Sequence, residues 1–213
     1  MKPMGVPRQV RVFWLVLTGA TLLMLTVGAF LFLREVKAIR ALSQRLPVLS
    51  EVPEFALLER NGNEVGLSDL LGHVWVADFI FTHCAGPCPL LSAQMQALQA
   101  PLRKYPDTRL VSFSVDPERD TPEVLSRYAE RYLADPDRWL FLTGEKSGVY
   151  SVIRDGFQLG VGGVEEGTDQ IMHSLRFALV DRKGRVRAYY DGTDPGLSKK
   201  LLPDMQMLLK ESD

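Results

Sequence analysis

The longest run of apolar positions lies close to the amino terminus. No charged residue occurs from Val12 to Leu33, and a helix of this length spans about 33 Å, slightly more than the roughly 30 Å hydrocarbon core of a bilayer. The run is also longer than the apolar core of a cleaved signal peptide. The pattern therefore predicts a single transmembrane helix that acts as an uncleaved signal anchor, with residues 1–35 forming the tail and the anchor.

The residues that follow the apolar run are rich in basic side chains. Apolar residues recur at helical spacing from Arg34 to Leu46, so residues 36–52 are either a helical stalk or a solvated linker. Basic residues stand on both sides of the run: Lys2, Arg8 and Arg11 before it, and Arg34, Lys37, Arg40 and Arg45 after it. Counting them does not determine which side of the membrane holds the rest of the chain.

The stretch 74–81 is apolar apart from one aspartate and is rich in valine and aromatic residues. This composition predicts a strand that is buried on both faces at the centre of an α/β sheet. Residues 82–87 have loop composition, and Pro89 suits the first position of a helix that we predict to continue to Gln99. Both cysteines of the chain, Cys84 and Cys88, lie at this junction.

The other segments alternate between strand and helix patterns. We predict a hairpin from 55–58 and 64–67, strands at 109–115 and 139–142, and helices at 122–133 and 145–154. A second hairpin, 174–180 with 185–190, precedes a helix at 197–209 that Pro203 should interrupt or restart. The glycine-rich, acidic segment 157–170 predicts an irregular loop outside the core.

These elements together predict an α/β fold. It is a thioredoxin-like sheet flanked by helices, with an N-terminal hairpin and an additional C-terminal hairpin, in residues 53–213. The chain has 213 residues, is 46% hydrophobic and carries a net charge of −1, which favours one globular domain beside the membrane segment and gives no indication of nucleic-acid binding. Two cysteines are too few for a zinc module built on four cysteines.

The two cysteines are the candidate chemistry. Cys84 and Cys88 are four positions apart, so their sulfurs share one face if the loop coils into the first turn of the helix. The positive end of the helix dipole favours thiolates, which are ligands for soft ions such as copper(I). A structural disulfide is the alternative, although so short a loop would constrain the unfolded chain little. The spacing also departs from the C-x-x-C of thiol oxidoreductases by one residue.

The three histidines are candidates for a further metal ligand. His83 is adjacent to Cys84 but is expected to point away from it, and His73 precedes the central strand at the end opposite the cysteines. From the residues alone, His173 is equally well explained as a structural histidine. The run from Asp116 to Asp120 is interpreted as a turn and helix start outside the site.

Four segments resemble the Sco/SenC family of cytochrome oxidase assembly proteins: GLSDLLGHVWVADFIFTHCAGPCPLL, RLVSFSVDPERDTPEVLSRYAERY, WLFLTG and HSLRFALVDRKGRV. The resemblance covers roughly residues 52–209. It implies a thioredoxin-like domain outside the cytoplasm in which Cys84, Cys88 and His173 bind copper. It also implies that the protein helps deliver copper to the binuclear copper centre of cytochrome c oxidase.

Two functional hypotheses follow. The first is a membrane-anchored copper metallochaperone whose partner is the copper-receiving subunit of cytochrome c oxidase, with other copper chaperones or thiol reductases as further partners. The second is a thiol-disulfide oxidoreductase in which Cys84 and Cys88 reduce the cysteines of a copper-receiving protein. An anchored binding module with a static disulfide is a third alternative.

Overall fold

A computed structural model describes residues 8–43, 46–84, 86–161 and 174–211. The chain divides into two compact units, Met1–Arg45 and Leu46–Asp213. In the first unit, helix α1 (Arg8–Ser43) continues well beyond the predicted apolar run. Its Leu17–Glu35 segment is, among the described residues, the one long and apolar enough to cross a membrane.

The second unit is built on an eight-stranded mixed sheet, as far as the described residues show. The strand order is β1-β8-β7-β4-β5-β6-β2-β3. The strands are β1 (Ser50–Glu51), β2 (Ala56–Glu59), β3 (Glu64–Gly66), β4 (Val74–Ile80), β5 (Thr108–Ser114), β6 (Trp139–Thr143), β7 (Arg176–Val180) and β8 (Arg185–Asp191). The helices are α2 (Cys88–Leu102), α3 (Pro122–Arg131), α4 (Lys146–Ser151) and α5 (Leu197–Lys210).

The predicted thioredoxin-like arrangement is confirmed in its main elements. Strands β2 and β3 form the N-terminal hairpin, and β7 and β8 form the additional C-terminal one. Every residue of β4 is buried, as expected for a strand covered on both faces. Strands β4, β5 and β6 run parallel, so their carboxyl ends meet at one edge of the sheet. We call this edge, where β4 leads into the cysteine loop, the cysteine edge.

Residues alternate between the two faces of β4. Trp75 and Phe79 point to one face, where they pack against Phe113 and Phe157. Asp78 points to the opposite face, which α2 and α3 cover. The hydroxyl oxygens of Ser92 in α2 and Tyr128 in α3 lie 2.8 Å apart, and the Tyr128 ring packs on Phe141 of β6.

The prediction that residues 157–170 form an irregular loop outside the core is partly wrong. Phe157 is fully buried and Leu159 nearly so. Phe157 follows a π-helical turn, Val152–Gly156, which directs its ring into the aromatic cluster of Trp75, Phe79 and Phe113. Glycine-rich composition indicates irregular backbone but does not determine burial. The rest of the predicted loop, 162–170, lies outside the described residues.

Helix α5 continues through Pro203, contrary to the predicted interruption. A proline inside a helix costs about 3 kcal/mol. On α5, however, Leu201, Met205 and Leu208 are buried on one face, and each such side chain contributes about 1.5–3 kcal/mol. Burial of this face therefore outweighs the hydrogen bond that the proline removes.

Residues 46–52, predicted as the end of the stalk or linker, pack on the domain. Strand β1 pairs with β8, and Val52 is buried. The guanidinium of Arg187 donates to the carbonyl oxygens of Leu46 and Pro47 while it pairs with acidic side chains of the domain. Strand β1 has only two residues, and so short a strand leaves little pattern in the sequence. Hydrophobic patterning therefore placed the start of the domain at residue 53.

Candidate metal centre

Cys84 and Cys88 lie where β4 passes into α2. Cys84 belongs to the loop after the strand, and its backbone N–H donates to the Phe81 carbonyl. Cys88 is the first residue of α2, so the helix begins one residue before Pro89, the predicted first position. Cys84 and Cys88 do not form a disulfide with each other. Cys84 retains 9% of its accessible surface and Cys88 none, so Cys84 is the more accessible of the two.

The two thiols interact with each other. Burial is the main cause that raises the pKa of Cys88, and the hydrogen bond with the Cys84 side chain raises this pKa further, while a hydrogen bond with the Phe81 backbone lowers it. The expectation that the helix dipole favours a thiolate therefore does not hold for Cys88. Desolvation outweighs a dipole effect of typically 0.3–1 kcal/mol. Two adjacent sulfurs in a mostly apolar setting suit a soft, thiophilic ion.

The predicted third ligand, His173, lies outside the described residues. The described residues continue from Ser174, shortly before β7, which pairs antiparallel with β4 so that Ala178 lies opposite Ala77. Because the strands run in opposite directions, the start of β7 lies at the carboxyl end of β4. Residue 174 is therefore brought to the cysteine edge of the sheet.

The other two histidines each contact an oxygen atom close to them in the chain. His73 precedes β4, at the opposite edge of the sheet, and its Nδ1 is 3.3 Å from the Leu71 carbonyl oxygen. The Nδ1 of His83 is 3.1 Å from the Thr82 hydroxyl, and His83 lines a pocket on the α3 side of the loop. Within the described part of the chain, no group of three or more His, Cys, Asp or Glu could hold a metal ion.

Asp120, which the sequence analysis placed outside the site, forms hydrogen bonds with the loop that carries Cys84. It is fully buried, and its carboxylate accepts hydrogen bonds from the Thr82 hydroxyl at 2.6 Å, the Thr82 backbone N–H at 3.2 Å and the Ser114 hydroxyl at 2.7 Å. Burial raises the pKa of Asp120, and these hydrogen bonds act against that rise. Asp120 follows the strand next to β4, a position from which a side chain can reach the neighbouring loop.

Asp78 is a second polar residue that sequence reasoning missed, although a lone carboxylate in an apolar strand is a visible signal. Its Oδ1 accepts a 2.5 Å hydrogen bond from the Ser112 hydroxyl, which in turn accepts from the Trp139 indole N–H at 2.9 Å. Asp78 Oδ2 is buried and has no hydrogen-bond partner among the residues that the structure describes. Burial raises the pKa of Asp78 to about 7, and electrostatic interaction with Asp78 contributes to the raised pKa of Cys88.

The sheet, its flanking helices and the cysteine pair at a strand-to-helix junction define a thioredoxin-like protein. The SCO1/SenC family model matches residues 44–210, and the chain belongs to this family.

Individual relatives agree with this assignment. The SCO1 protein homolog of Bacillus subtilis is 40% identical over 150 residues, which cover 70% of this chain and 77% of the relative. The structure of BsSco, described as a member of the Sco family of cytochrome c oxidase assembly proteins with a disulfide switch, is 35% identical. It matches with a TM-score of 0.70 over 79% of this chain and 100% of its own. Copper-bound ScoI of Bradyrhizobium japonicum, 23% identical, has the same fold, with a TM-score of 0.63 over 75% of this chain and 99% of its own.

Proposed function

We propose that this protein is a membrane-anchored copper metallochaperone that assists assembly of the copper centre of cytochrome c oxidase. The observation that carries the proposal is the pair of adjacent thiols of Cys84 and Cys88 at the cysteine edge, which interact with each other and form no disulfide. Membership of the SCO1/SenC family supports the choice of copper as the cargo, since relatives include oxidase assembly proteins and a copper-bound structure.

The proposed copper ligands are Cys84, Cys88 and His173. Two thiolates and one imidazole suit both copper(I) and copper(II), and three protein ligands leave a position from which a receiving protein can attack. The copper-receiving subunit of the oxidase is the proposed partner. Other copper chaperones or thiol reductases would load the ion or keep the cysteines reduced.

The apolar part of α1 is the proposed anchor, with the second unit on the non-cytoplasmic side of the membrane. Length and composition of the Leu17–Glu35 segment support the anchor, and the function of relatives in oxidase assembly supports the sidedness. A reporter fused after Asp213 tests the sidedness. Activity of a periplasm-active reporter is expected, and activity of only a cytoplasm-specific reporter would refute this placement.

Thiol-disulfide exchange is the second candidate function. Here the more accessible Cys84, as thiolate, attacks a disulfide of the partner and forms a mixed disulfide. Cys88 then attacks Cys84, which leaves the partner as a dithiol and this protein as a disulfide, so two electrons pass to the partner and a thiol reductase must restore them. The difference in exposure between the two cysteines favours this assignment of roles.

Copper titration of the reduced full-length chain in detergent tests the metallochaperone proposal. One copper ion should bind per chain, and Cys84→Ser, Cys88→Ser and His173→Ala should each weaken binding. His73→Ala is the matched control, because His73 lies at the opposite edge of the sheet, and it should bind copper like the wild type. Unchanged copper retention in His173→Ala for both oxidation states would remove this histidine from the site.

A further inference from the structure

A small basic pocket lies beside the cysteine loop. It has a volume of about 260 Å³ and is formed where the loop meets one side of α3. Its lining residues are Thr82, His83, Val124, Arg127, Tyr128 and Arg131. We refer to it as the α3 pocket.

Two lining residues of the α3 pocket, His83 and Tyr128, connect it to the cysteines of the proposed copper site. His83 precedes Cys84 directly in the chain. Tyr128, at the back of the pocket, shares a 2.8 Å hydrogen bond with Ser92 of α2, one helical turn beyond Cys88. A protein that brings its own ligands to the two thiols must therefore lie next to this pocket.

The charge of the pocket comes from Arg127 and Arg131, although Arg127 also interacts electrostatically with Glu123, one turn earlier on α3. Arg127 and Arg131 are exposed, and among the described residues neither has a carboxylate within ion-pair distance, in contrast to Arg119, Arg185 and Arg187. They stand four positions apart on α3, a spacing at which like charges destabilise a helix by about 0.2–0.5 kcal/mol. The whole chain has a net charge of −1, so this concentration of positive charge is local.

We propose that the α3 pocket is the docking site for an acidic segment of the protein that receives the copper. This inference rests on the proposed function and adds the surface by which the partner is recognised. Carboxylates of the partner would pair with Arg127 and Arg131 and so orient the partner over Cys84. Rim charges of this kind act mainly on the rate of association and make it dependent on salt.

A matched pair of charge reversals tests the proposal. In Arg127→Glu/Arg131→Glu both arginines of the pocket are reversed. In the control, Arg103→Glu/Lys104→Glu, the same change of charge is made at exposed residues just beyond the opposite end of α2 from Cys88. Reduced full-length chain in detergent is mixed with the copper-receiving subunit of the oxidase from the same organism. Affinity without copper and the rate of copper transfer are measured from low to high salt.

Reversal in the pocket should weaken the complex and slow transfer about tenfold or more at low salt, and should remove most of the salt dependence. The control should behave like the wild type, and both variants should still bind one copper ion. Equal affinity and equal transfer by wild type and Arg127→Glu/Arg131→Glu would overturn the docking site while leaving the metallochaperone proposal intact. A wild-type chain that binds no copper would instead refute the metallochaperone proposal. If the reversal abolishes binding of inorganic phosphate but leaves the protein complex unchanged, the pocket is a small-anion site and the docking proposal is wrong.

Discussion

The carboxylate of Asp120 accepts hydrogen bonds from both the backbone N–H and the hydroxyl of Thr82, with 2.6 Å between the Thr82 Oγ1 and the Asp120 Oδ1. Thr82 stands two residues before Cys84, whereas Asp120 belongs to the turn that precedes α3. The contact therefore joins the cysteine loop to the neighbouring parallel strand and helix. It makes the position of Cys84 depend on a residue far from it in the sequence.

Replacement of Asp120 tests whether this contact positions the site. In Asp120→Asn an amide nitrogen replaces one acceptor oxygen and the negative charge is lost, so the free energy of unfolding should fall by about 1–3 kcal/mol. Copper affinity should fall by about 10- to 100-fold, as is usual when a residue that orients metal ligands is removed. Urea unfolding and a copper competition titration measure the two effects.

Two substitutions of Thr82 are the controls for this experiment. Thr82→Ser keeps the hydroxyl and should behave like the wild type, whereas Thr82→Val removes it and should reproduce part of the loss. Wild-type copper affinity in a folded Asp120→Asn protein would show that the contact does not position the cysteines.

Asp78 should make the stability of the copper-free protein depend on pH. Burial raises the pKa of Asp78 in the folded state to about 7, from the ordinary value of 3.8. Between these two pH values the folded state therefore holds a proton that the unfolded state has lost. Stability should therefore fall as pH rises from about 4 to about 7 and stay lower above that. The slope is about 1.4 kcal/mol per pH unit, and the total is at most about 4 kcal/mol.

The variant Asp78→Asn isolates this contribution, because its amide does not titrate. The difference in the free energy of unfolding between variant and wild type should shift in favour of the variant as pH rises from 4 to 7. Any constant cost of the amide drops out of this comparison. A difference that is independent of pH would show that Asp78 titrates normally in the folded protein.

Phe157 tests whether the segment after the π-helical turn belongs to the core. Its ring packs edge-on against Trp75 and Phe79, with ring centroids 6.0 and 5.0 Å away. Phe157→Ala should lower the free energy of unfolding by about 3–5 kcal/mol. Phe157→Leu, which retains most of the apolar volume, should cost clearly less. Urea unfolding followed by tryptophan fluorescence measures both, and a loss below about 1 kcal/mol in Phe157→Ala would place the ring outside the core.

Local patterns in the sequence predicted the main elements of the fold correctly. The apolar run 74–81 predicted β4, and the segments 55–58 and 64–67 were correctly predicted to form the hairpin of β2 and β3. The helix predicted at 122–133 begins at Pro122, where the Thr121 hydroxyl accepts from the backbone N–H of Val124. Each of these signals lies within the strand, turn or helix that it predicts, or directly beside it in the sequence.

Contacts between distant parts of the chain were not predictable in this way. The burial of Phe157, the continuity of α5 through Pro203 and the docking of residues 46–52 onto Arg187 all depend on surfaces supplied by other elements. The same holds for Asp120, whose sequence context is that of a turn. The positions of Cys84 and Cys88 could be predicted because strand, loop and helix follow one another in the chain.

The copper content of cytochrome c oxidase in cells is the most direct test of the central claim. Cells at limiting copper would carry Cys84→Ser, Cys88→Ser or His173→Ala at equal protein levels. If the protein delivers copper through these three ligands, oxidase copper should fall in all three strains. Disulfide exchange needs the two thiols but no imidazole ligand, so the reductase function predicts a fall only in the two cysteine strains. Normal oxidase copper in His173→Ala cells, together with failure of both cysteine variants, would contradict copper delivery and support the reductase function.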